Sequence, residues 1–364
     1  MAVNSVVIIM YQVIGVAMFL PNMAILLSVA VQKALRTRKE YLLIGSLALV
    51  DSFQGTALFH CGVYRMMVQL EDRQNEPATM RQCLHVFSNL IWIFSDPLAA
   101  WMLTVISTDR LIGARALTKL NFAKDCKISG EREKNESTGV LILNAPPAAA
   151  KPLEYRKLGR RYALALISTA YGFFFLSGLN GIRLSYAHTT TRNITASCLY
   201  TWGLTLQFSD YQQFMVLCGA STSVLIYAAV LVVSLKGRHS VRPAGGQEQE
   251  DKRFQKQLTK AIGSATTATL FLFVIPTSFF IWGERVPMEP TTRVTLYMAA
   301  YVVSQCNSML NLCFYYYRLK PIRHAIKYTL TCKGQMPINL NNIATVTSKG
   351  RSTATNKMLF SRRV

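Results

Sequence analysis

Charged residues are scarce in this chain, and this scarcity excludes most classes of soluble protein. Only 16% of its 364 residues are Asp, Glu, Lys or Arg, whereas about a quarter is usual in a soluble domain. The apolar and aromatic residues make up 51% of the chain and stand in blocks of about 20 or more. A helix of about 20 apolar residues crosses the hydrocarbon core of a bilayer. The composition therefore predicts an integral membrane protein.

Motifs of catalysis and metal binding are also lacking. The sequence has no HExxH, GxSxG or Walker motif and no CxxC pair, and its five histidines do not have the spacing of metal ligands. We therefore expect neither an enzyme nor a metal or cofactor site. A nucleic-acid partner is not expected despite the net charge of +22, because the basic residues lie in alternate connections between the apolar blocks and not on one face of a soluble module.

Seven apolar blocks predict an all-α bundle of seven membrane-spanning helices. We place the spans at about 5–31, 42–64, 84–109, 160–183, 208–235, 258–283 and 293–317. The first block has no basic residues before it and no cleavage site after it, so a retained helix is expected in place of a signal peptide. Arg318–Leu330 predicts a short amphipathic eighth helix on the inner leaflet, so that residues 1–332 form one membrane domain.

The distribution of basic residues predicts how the chain is oriented. Of its 40 lysines and arginines, 33 lie in the connections after the first, third and fifth spans and in the C-terminal tail. Cytoplasmic connections are enriched in Lys and Arg, so we expect the N-terminus outside and the tail inside the cell. Residues 121–155 are polar and then rich in Pro and Ala, which favours a flexible cytoplasmic insert. The tail, 333–364, has a composition typical of disorder.

Polar side chains interrupt several spans, and each needs a partner or a task because an ionisable group in hydrocarbon is costly. Hydrogen bonding between helices is a sufficient explanation for a single Asn or Ser. It does not explain Asp51, which lies about ten residues inside the second span. A carboxylate at that depth must be protonated, paired or exposed to a wet cavity.

These polar positions follow a known order. Asn22 lies in span one, Ser46–Asp51 reads SLALVD in span two, and Thr108–Leu111 reads TDRL at the end of span three. Pro276 lies in span six, and Asn307–Tyr315 in span seven reads NSMLNLCFY. The set resembles the SLAxxD, D/E-R-Y, span-six proline and NSxxNPxxY motifs of rhodopsin-like (class A) G-protein-coupled receptors. Its degenerate motifs look like those of the nematode serpentine chemoreceptor branch.

The resemblance implies a switch between two packings of the helix bundle, biased by a ligand outside and a heterotrimeric G protein inside. In this interpretation Arg110 pairs with Asp109 in the off state and donates to G-protein carbonyl groups in the on state. Pro276 removes a backbone hydrogen bond and kinks span six, while Tyr315, after Asn311, moves inward.

Three departures from the family pattern bear on this switch. Leu312 replaces the span-seven proline, Val274 replaces the aromatic residue before the span-six proline, and Lys256 stands where the family often has a carboxylate. Without that carboxylate, restraint of the off state has to come from Asp109. The departures leave open a protein that keeps the receptor fold without signalling.

The resemblance also implies a polar network at the middle of the membrane, formed by Asn22, Asp51, Asn307 and Asn311. The family binds sodium and water in this region. Ala99 stands where span three should supply a Ser or Asn, so a water-linked hydrogen-bond network is expected in place of a sodium site.

Candidate ligand contacts lie toward the outer side. Asp96 precedes Arg110 by 14 residues, or about 21 Å along a helix. Asp96 could pair with a cationic ligand, or it could accept local hydrogen bonds beside Pro97. The other pocket candidates from spans three, five and seven are Trp92, Asp210, Tyr301 and Gln305. Trp92 stands in the position that resembles the amine-receptor aspartate, which argues against a biogenic amine, and the absence of lysine from span seven argues against retinal.

Residues outside the spans predict three covalent modifications. Cys83 and Cys198 both fall on the outer, oxidising side, which favours a disulfide between them. Asn193 begins an N-I-T sequon on the same side and is a glycosylation site. Cys332 follows the amphipathic stretch and is a palmitoylation site.

The expected function is that of a chemosensory G-protein-coupled receptor for a small molecule or peptide, in the plasma membrane, with sensory cilia as one candidate location. Two alternatives stay open beside it. A seven-span transporter or channel would have polar residues along a continuous pathway and helices broken at the midplane. A relative that retains only the receptor fold would not activate a G protein.

Overall fold

The computed structural model describes residues 5–134, 159–187, 194–196, 198, 203–236, 246–283 and 290–331. Helices account for almost all of them. They are α1 (Ser5–Val31), α2 (Lys33–Arg36), α3 (Lys39–Leu70), α4 (Met80–Leu84), α5 (Phe87–Lys134), α6 (Arg160–Ala187), α7 (Leu206–Lys236), α8 (Gly246–Thr269), α9 (Ile275–Gly283), α10 (Pro290–Arg318) and α11 (Lys320–Leu330).

Six of the described helical segments are long and apolar enough to cross a membrane. They are Ser5–Val31, Lys39–Leu70, Phe87–Arg115, Arg160–Ala187, Leu206–Val233 and Gln257–Phe279. The chain is therefore an all-α, multi-pass membrane protein. The seventh predicted span coincides with α10, which has 29 residues but is not among the six, and its described part carries many polar side chains.

Two helices run further than the sequence predicts. The second span continues beyond residue 64 to Leu70. The third continues as one helix to Lys134, which takes in the first part of the predicted insert, 121–134. Residues 121–134 contain no proline and several good helix formers, so nothing in them except Gly130 opposes propagation of the helix. The rest of the insert, 135–155, lies outside the described residues.

Glycines bring α1 and α3 into close contact. A Cβ atom on Gly15 would lie 2.8 Å from the carbonyl oxygen of Gly55, and one on Gly55 would lie 2.9 Å from the carbonyl oxygen of Gly15. Small residues let membrane helices approach at backbone distance, where dispersion and weak hydrogen bonds replace the missing hydrophobic driving force. Gly15 and Gly55 therefore set the distance between α1 and α3.

α5 is the central helix of the bundle and packs against both α3 and α7. Side chains on α5 and α7 donate to backbone carbonyls across the interface: Thr104 Oγ1 to Gly219 O at 2.6 Å, Trp101 Nε1 to Met215 O at 3.0 Å, and Gln212 Nε2 to Ile93 O at 2.8 Å. These bonds hold the two helices in one register, because polar groups in hydrocarbon need protein partners.

A short π-helix interrupts span six. It covers Leu270–Val274 and leads into α9, where Pro276 is the second residue. Proline cannot donate to a carbonyl one turn earlier, and a π-turn is one of the ways in which a helix absorbs that loss. The predicted distortion of span six therefore lies immediately before Pro276.

The disulfide lies at one end of the bundle, and α11 lies at the other. Cys83 and Cys198 are bonded, which confirms the predicted pair, and β1 (Pro77–Ala78) pairs with β2 (Ile194–Thr195) beside them. At the opposite end the amphipathic helix is present as α11. It buries Ile322 against the bundle and contacts the end of α1 through a hydrogen bond from Gln32 Nε2 to Thr329 Oγ1 at 3.3 Å.

Candidate functional site

Four charged residues meet where α3 begins and the membrane-spanning part of α5 ends. Lys39 Nζ lies 3.2 Å from Asp109 Oδ1, and Arg110 Nη2 lies 2.8 Å from Asp109 Oδ2. Glu40 Oε1 lies 4.0 Å from the same Arg110 nitrogen. We call Lys39, Glu40, Asp109 and Arg110 the four-charge cluster.

The four-charge cluster is electrically balanced and almost dry. Asp109 has no exposed surface, and the side chains of Lys39 and Arg110 are only 8% and 4% exposed. Two cations and two anions cancel, and the Lys39 ammonium also lies 5.4 Å from the ring centroid of Tyr162. Removal of any one member would leave the other three with a net charge. A buried net charge is costly because nothing compensates it.

The pairing of Asp109 with Arg110 agrees with the sequence interpretation, whereas Lys39 and Glu40 were missed. Lys39 was counted only as one of the basic residues of a short connection, and Glu40 was not considered. The sequence did contain a signal for them, because Lys39 and Glu40 stand at the start of a membrane-spanning helix. A charged side chain there needs a partner unless it reaches the membrane surface.

A second polar group surrounds Asp51 at the middle of the bundle. Ser308 Oγ donates to Asp51 Oδ1 at 3.1 Å, and Thr269 Oγ1 lies 3.1 Å from Asn307 Oδ1, to which it can donate. Asp51, Asn307, Ser308 and Asn311 all line a cavity of about 20 Å³, which has room for about one water molecule. Asn311 Oδ1 is buried without a hydrogen-bond partner among the described residues, so it could accept from such a water.

Not all members of the predicted network come together. Asn22 is buried, but its amide donates to Met18 O of its own helix at 2.9 Å, and it does not line the cavity. Ser308 supplies the hydrogen bond to Asp51 that the sequence prediction lacked. The signal for it was helical spacing, since Ser304, Ser308 and Asn311 recur on one face of α10.

Two tyrosines lie in the apolar core of the bundle. Tyr315 is buried in the same apolar cluster as Tyr227, and its hydroxyl has no hydrogen-bond partner in the described part of the chain. The hydroxyl of Tyr227, on α7, donates to Thr259 O of α8. Tyr227 was not predicted, and its hydrogen bond joins α7 to α8.

The predicted ligand contacts divide into four environments. The rings of Trp92 and Tyr301 meet edge to face with centroids 6.2 Å apart. Asp96 Oδ1 lies 3.5 Å from Gln54 Nε2, which favours local hydrogen bonding of the carboxylate, while Gln305 lines the mid-membrane cavity. Asp210 is exposed on α7 and does not join them, because it lies about 200° around the helix from the buried Gln212.

Arg65 lies beside the predicted pocket and was missed entirely. Its side chain is buried, and Cζ lies 5.2 Å from the ring centroid of Tyr11, which in turn contacts the ring of Tyr301. The sequence prediction ended span two one residue earlier and counted Arg65 with the outer connection. The longer α3 places a cation next to the aromatic residues of this region.

Other predictions concern residues that the structure does not describe. Asn193 and Cys332 both lie outside the described ranges, as does the tail 333–364. Among the described residues no group of three or more His, Cys, Asp or Glu side chains has the arrangement of a metal site.

Comparison with known proteins does not assign this chain to a family. No protein-family model matches the sequence, and a search of curated proteins finds no match.

Proposed function

We propose that this protein is a seven-span receptor of the plasma membrane that converts binding of an extracellular ligand into activation of a heterotrimeric G protein. The observation that carries the proposal is the four-charge cluster. It holds Arg110 near the end of the membrane-spanning part of α5 by ion pairs at 2.8 Å and 4.0 Å, at a place where the sequence resembles the coupling motif of class A receptors. α10 serves as the seventh span, and its polar face is turned to the bundle interior.

The cluster suggests how two states can have similar free energies. In the off state Asp109 binds both Arg110 and Lys39. If the inner end opens and Arg110 turns to carbonyl groups of a G protein, Lys39 still compensates the buried carboxylate of Asp109. A switch needs states that differ by only a few kcal/mol, and this second cation avoids the cost of an unpaired buried charge. Lys39 thus lowers the cost of the open state and is a determinant of the equilibrium between the two states.

Transport is the second candidate, and the π-helix at Leu270–Val274 is the observation in its favour, since transporters break helices near the midplane. The cavity at Asp51 holds about 20 Å³, which is too small for a solute larger than a water molecule or a bare ion. The receptor function therefore has the stronger support.

G-protein activation in cells tests the proposal. The full chain is expressed with a panel of G proteins and screened with odorant and peptide libraries. Arg110→Ala is expected to lower the response about tenfold or more at similar surface level, equivalent to about 1.4 kcal/mol of lost coupling. Arg115→Ala is the matched control, because Arg115 lies on the same helix and is exposed. Equal responses of the two variants would contradict coupling through Arg110.

Orientation is tested separately. We expect a C-terminal tag to be inaccessible to antibody in intact cells and Asn193 to carry a glycan that Asn193→Gln removes. The sequon at Asn135 is expected to stay unmodified, because the positive-inside rule places it in the cytoplasm. A glycan on Asn135 would reverse the orientation and with it the assignment of Arg110 to the cytoplasmic side.

A further inference from the structure

A groove separates α6 from α7 on the surface of the bundle. Where the structure describes these helices, α6 packs mainly on α3 and α5. It meets α7 where Phe208 fills the space beside Gly181, and where Ser177 Oγ lies 3.5 Å from Tyr211 Oη. The space between the helices amounts to about 550 Å³, which is within the range of small-molecule sites.

The lining of the groove is amphipathic. Phe173 and Leu176 form an apolar part, and both side chains are more than half exposed. Ser177, Asn180 and Tyr211 form a polar part. Asn180 is exposed on a membrane-spanning helix, and no hydrogen bond reaches its side chain within the described part of the chain. An amide facing hydrocarbon in this way is costly, so an occupant that hydrogen-bonds it is favoured.

Asn180 and Tyr211 lie at similar depths, nearer the disulfide end of the helices than Phe173 and Leu176. Asn180 is seven residues from the end of α6 at Ala187, or about 10 Å, and Tyr211 is five residues from the start of α7 at Leu206, or about 8 Å. Both helix ends lie on the side of the bundle that carries the disulfide. Phe173 lies about 10 Å deeper than Asn180 along α6. Polar contacts therefore stand near the lipid headgroups and apolar contacts among the acyl chains.

The position of the groove indicates its occupant. The groove extends along α6 from Phe173 to Leu184, a rise of about 16 Å. Both helices are long and apolar enough to cross a membrane, so lipid surrounds this surface. A molecule with one hydrocarbon chain and a polar head offers contacts to both parts of the lining.

We propose that the groove binds a single-chain amphiphile from the outer leaflet. Its head, which carries hydroxyl or amide groups, hydrogen-bonds Asn180 and the Ser177–Tyr211 pair, and its chain lies along Phe173 and Leu176. The site is separate from the mid-membrane cavity and from the four-charge cluster. It requires that α6 and α7 span the membrane, and it does not require that the protein activates a G protein.

Photolabelling of the full chain in lipid nanodiscs tests this site. The probe is a monoacylglycerol with a diazirine in its acyl chain, and the second probe is an alkyl diazirine of equal length without a headgroup. Labelled residues are located by mass spectrometry, with unlabelled monoacylglycerol as competitor. We expect the glycerol probe to label the groove residues of α6 and α7 in a saturable way, and the headless probe to label the lipid-facing surface evenly.

Two variants and one control make the test specific. Asn180→Leu and Tyr211→Phe are each expected to reduce groove labelling about three- to tenfold, as the loss of one buried hydrogen bond predicts. Thr169→Leu is the matched control, because Thr169 is exposed and lies three turns away on the same face of α6. Even labelling that no variant changes would overturn the proposal, as would cross-links between two copies of the chain at the groove. Tyr211→Phe removes a single oxygen atom, so a misfolded Asn180→Leu would not leave the proposal undecided.

Discussion

Changing Asp109 to asparagine is expected to lower the free energy of unfolding by about 3–5 kcal/mol, because it leaves two buried cations with one partner. Lys39 and Arg110 lie 3.2 Å and 2.8 Å from the two carboxylate oxygens of Asp109. An amide keeps the shape of the side chain but not its charge. Thermal unfolding of the detergent-solubilised protein measures the loss. The same change should raise ligand-independent G-protein activation, because Arg110 loses its nearest anion.

A double-mutant cycle separates the buried charges from the general effects of substitution. Asp109→Asn combined with Lys39→Met leaves one cation and one anion, Arg110 and Glu40, so the double variant is expected to be more stable than Asp109→Asn alone. Simple addition of the two single effects would show that Lys39 and Asp109 do not interact in the membrane.

An exposed ion pair of this chain has the same nitrogen–oxygen distance as the buried pair of Arg110 and Asp109 and therefore provides a control for the effect of burial. Arg73 Nε lies 2.8 Å from Glu76 Oε2, with both side chains more than half exposed. Exposed pairs contribute little because water screens them, so Glu76→Gln is expected to leave the unfolding temperature almost unchanged. A large effect of Glu76→Gln would mean that burial does not decide the strength of these pairs.

The features that local sequence encodes were predictable. A helix that crosses hydrocarbon needs a run of apolar residues of fixed length, so the six spans, and the α-helical class, follow from composition alone. The disulfide between Cys83 and Cys198 follows from the side of the membrane on which both residues fall. The amphipathic helix α11 follows from the spacing of Ile322 and its neighbours.

Side-chain pairing between helices was much less predictable. Lys39 and Asp109 are 70 residues apart, and Ser308 and Asp51 are 257 apart, so their contacts depend on how each helix is rotated about its axis. Apolar blocks carry little information on rotation, because lipid-facing and buried positions are equally apolar. For the same reason Asp210 was assigned to the pocket, although its helix turns it outward.

Helix ends were the other source of error. The apolar run of span two stops near residue 64, while its backbone hydrogen bonds continue to Leu70. Arg65 therefore lies inside a helix and is buried. Hydropathy marks the point where lipid ends, and the end of a helix is set by its terminal hydrogen bonds, which need not coincide with it.

Changing Asp51 to asparagine is expected to leave the surface level close to that of the unmodified protein and, if the proposed receptor function holds, to reduce ligand-stimulated signalling about tenfold or more, a shift of about 1.4 kcal/mol between the two states. Asn can still accept the hydrogen bond that Ser308 Oγ donates at 3.1 Å, and it has nearly the same volume. The change therefore removes only the charge or proton of Asp51. A carboxylate at this depth is costly, and its retention is explained if one state uses that charge more than the other.

Ser308→Ala is the reciprocal control for Asp51→Asn. It removes the hydrogen bond to Asp51 but keeps the carboxylate beside Asn307 and Asn311, with which Asp51 shares the cavity. If the charge operates the switch, Ser308→Ala should signal better than Asp51→Asn when both are measured as G-protein activation per receptor at the cell surface. If Asp51 serves only to join helices, Asp51→Asn should signal normally and Asp51→Ala should fail to reach the surface. Normal signalling by Asp51→Asn at normal surface density would end the switch role of Asp51, since a group whose charge is dispensable in both states cannot bias their equilibrium.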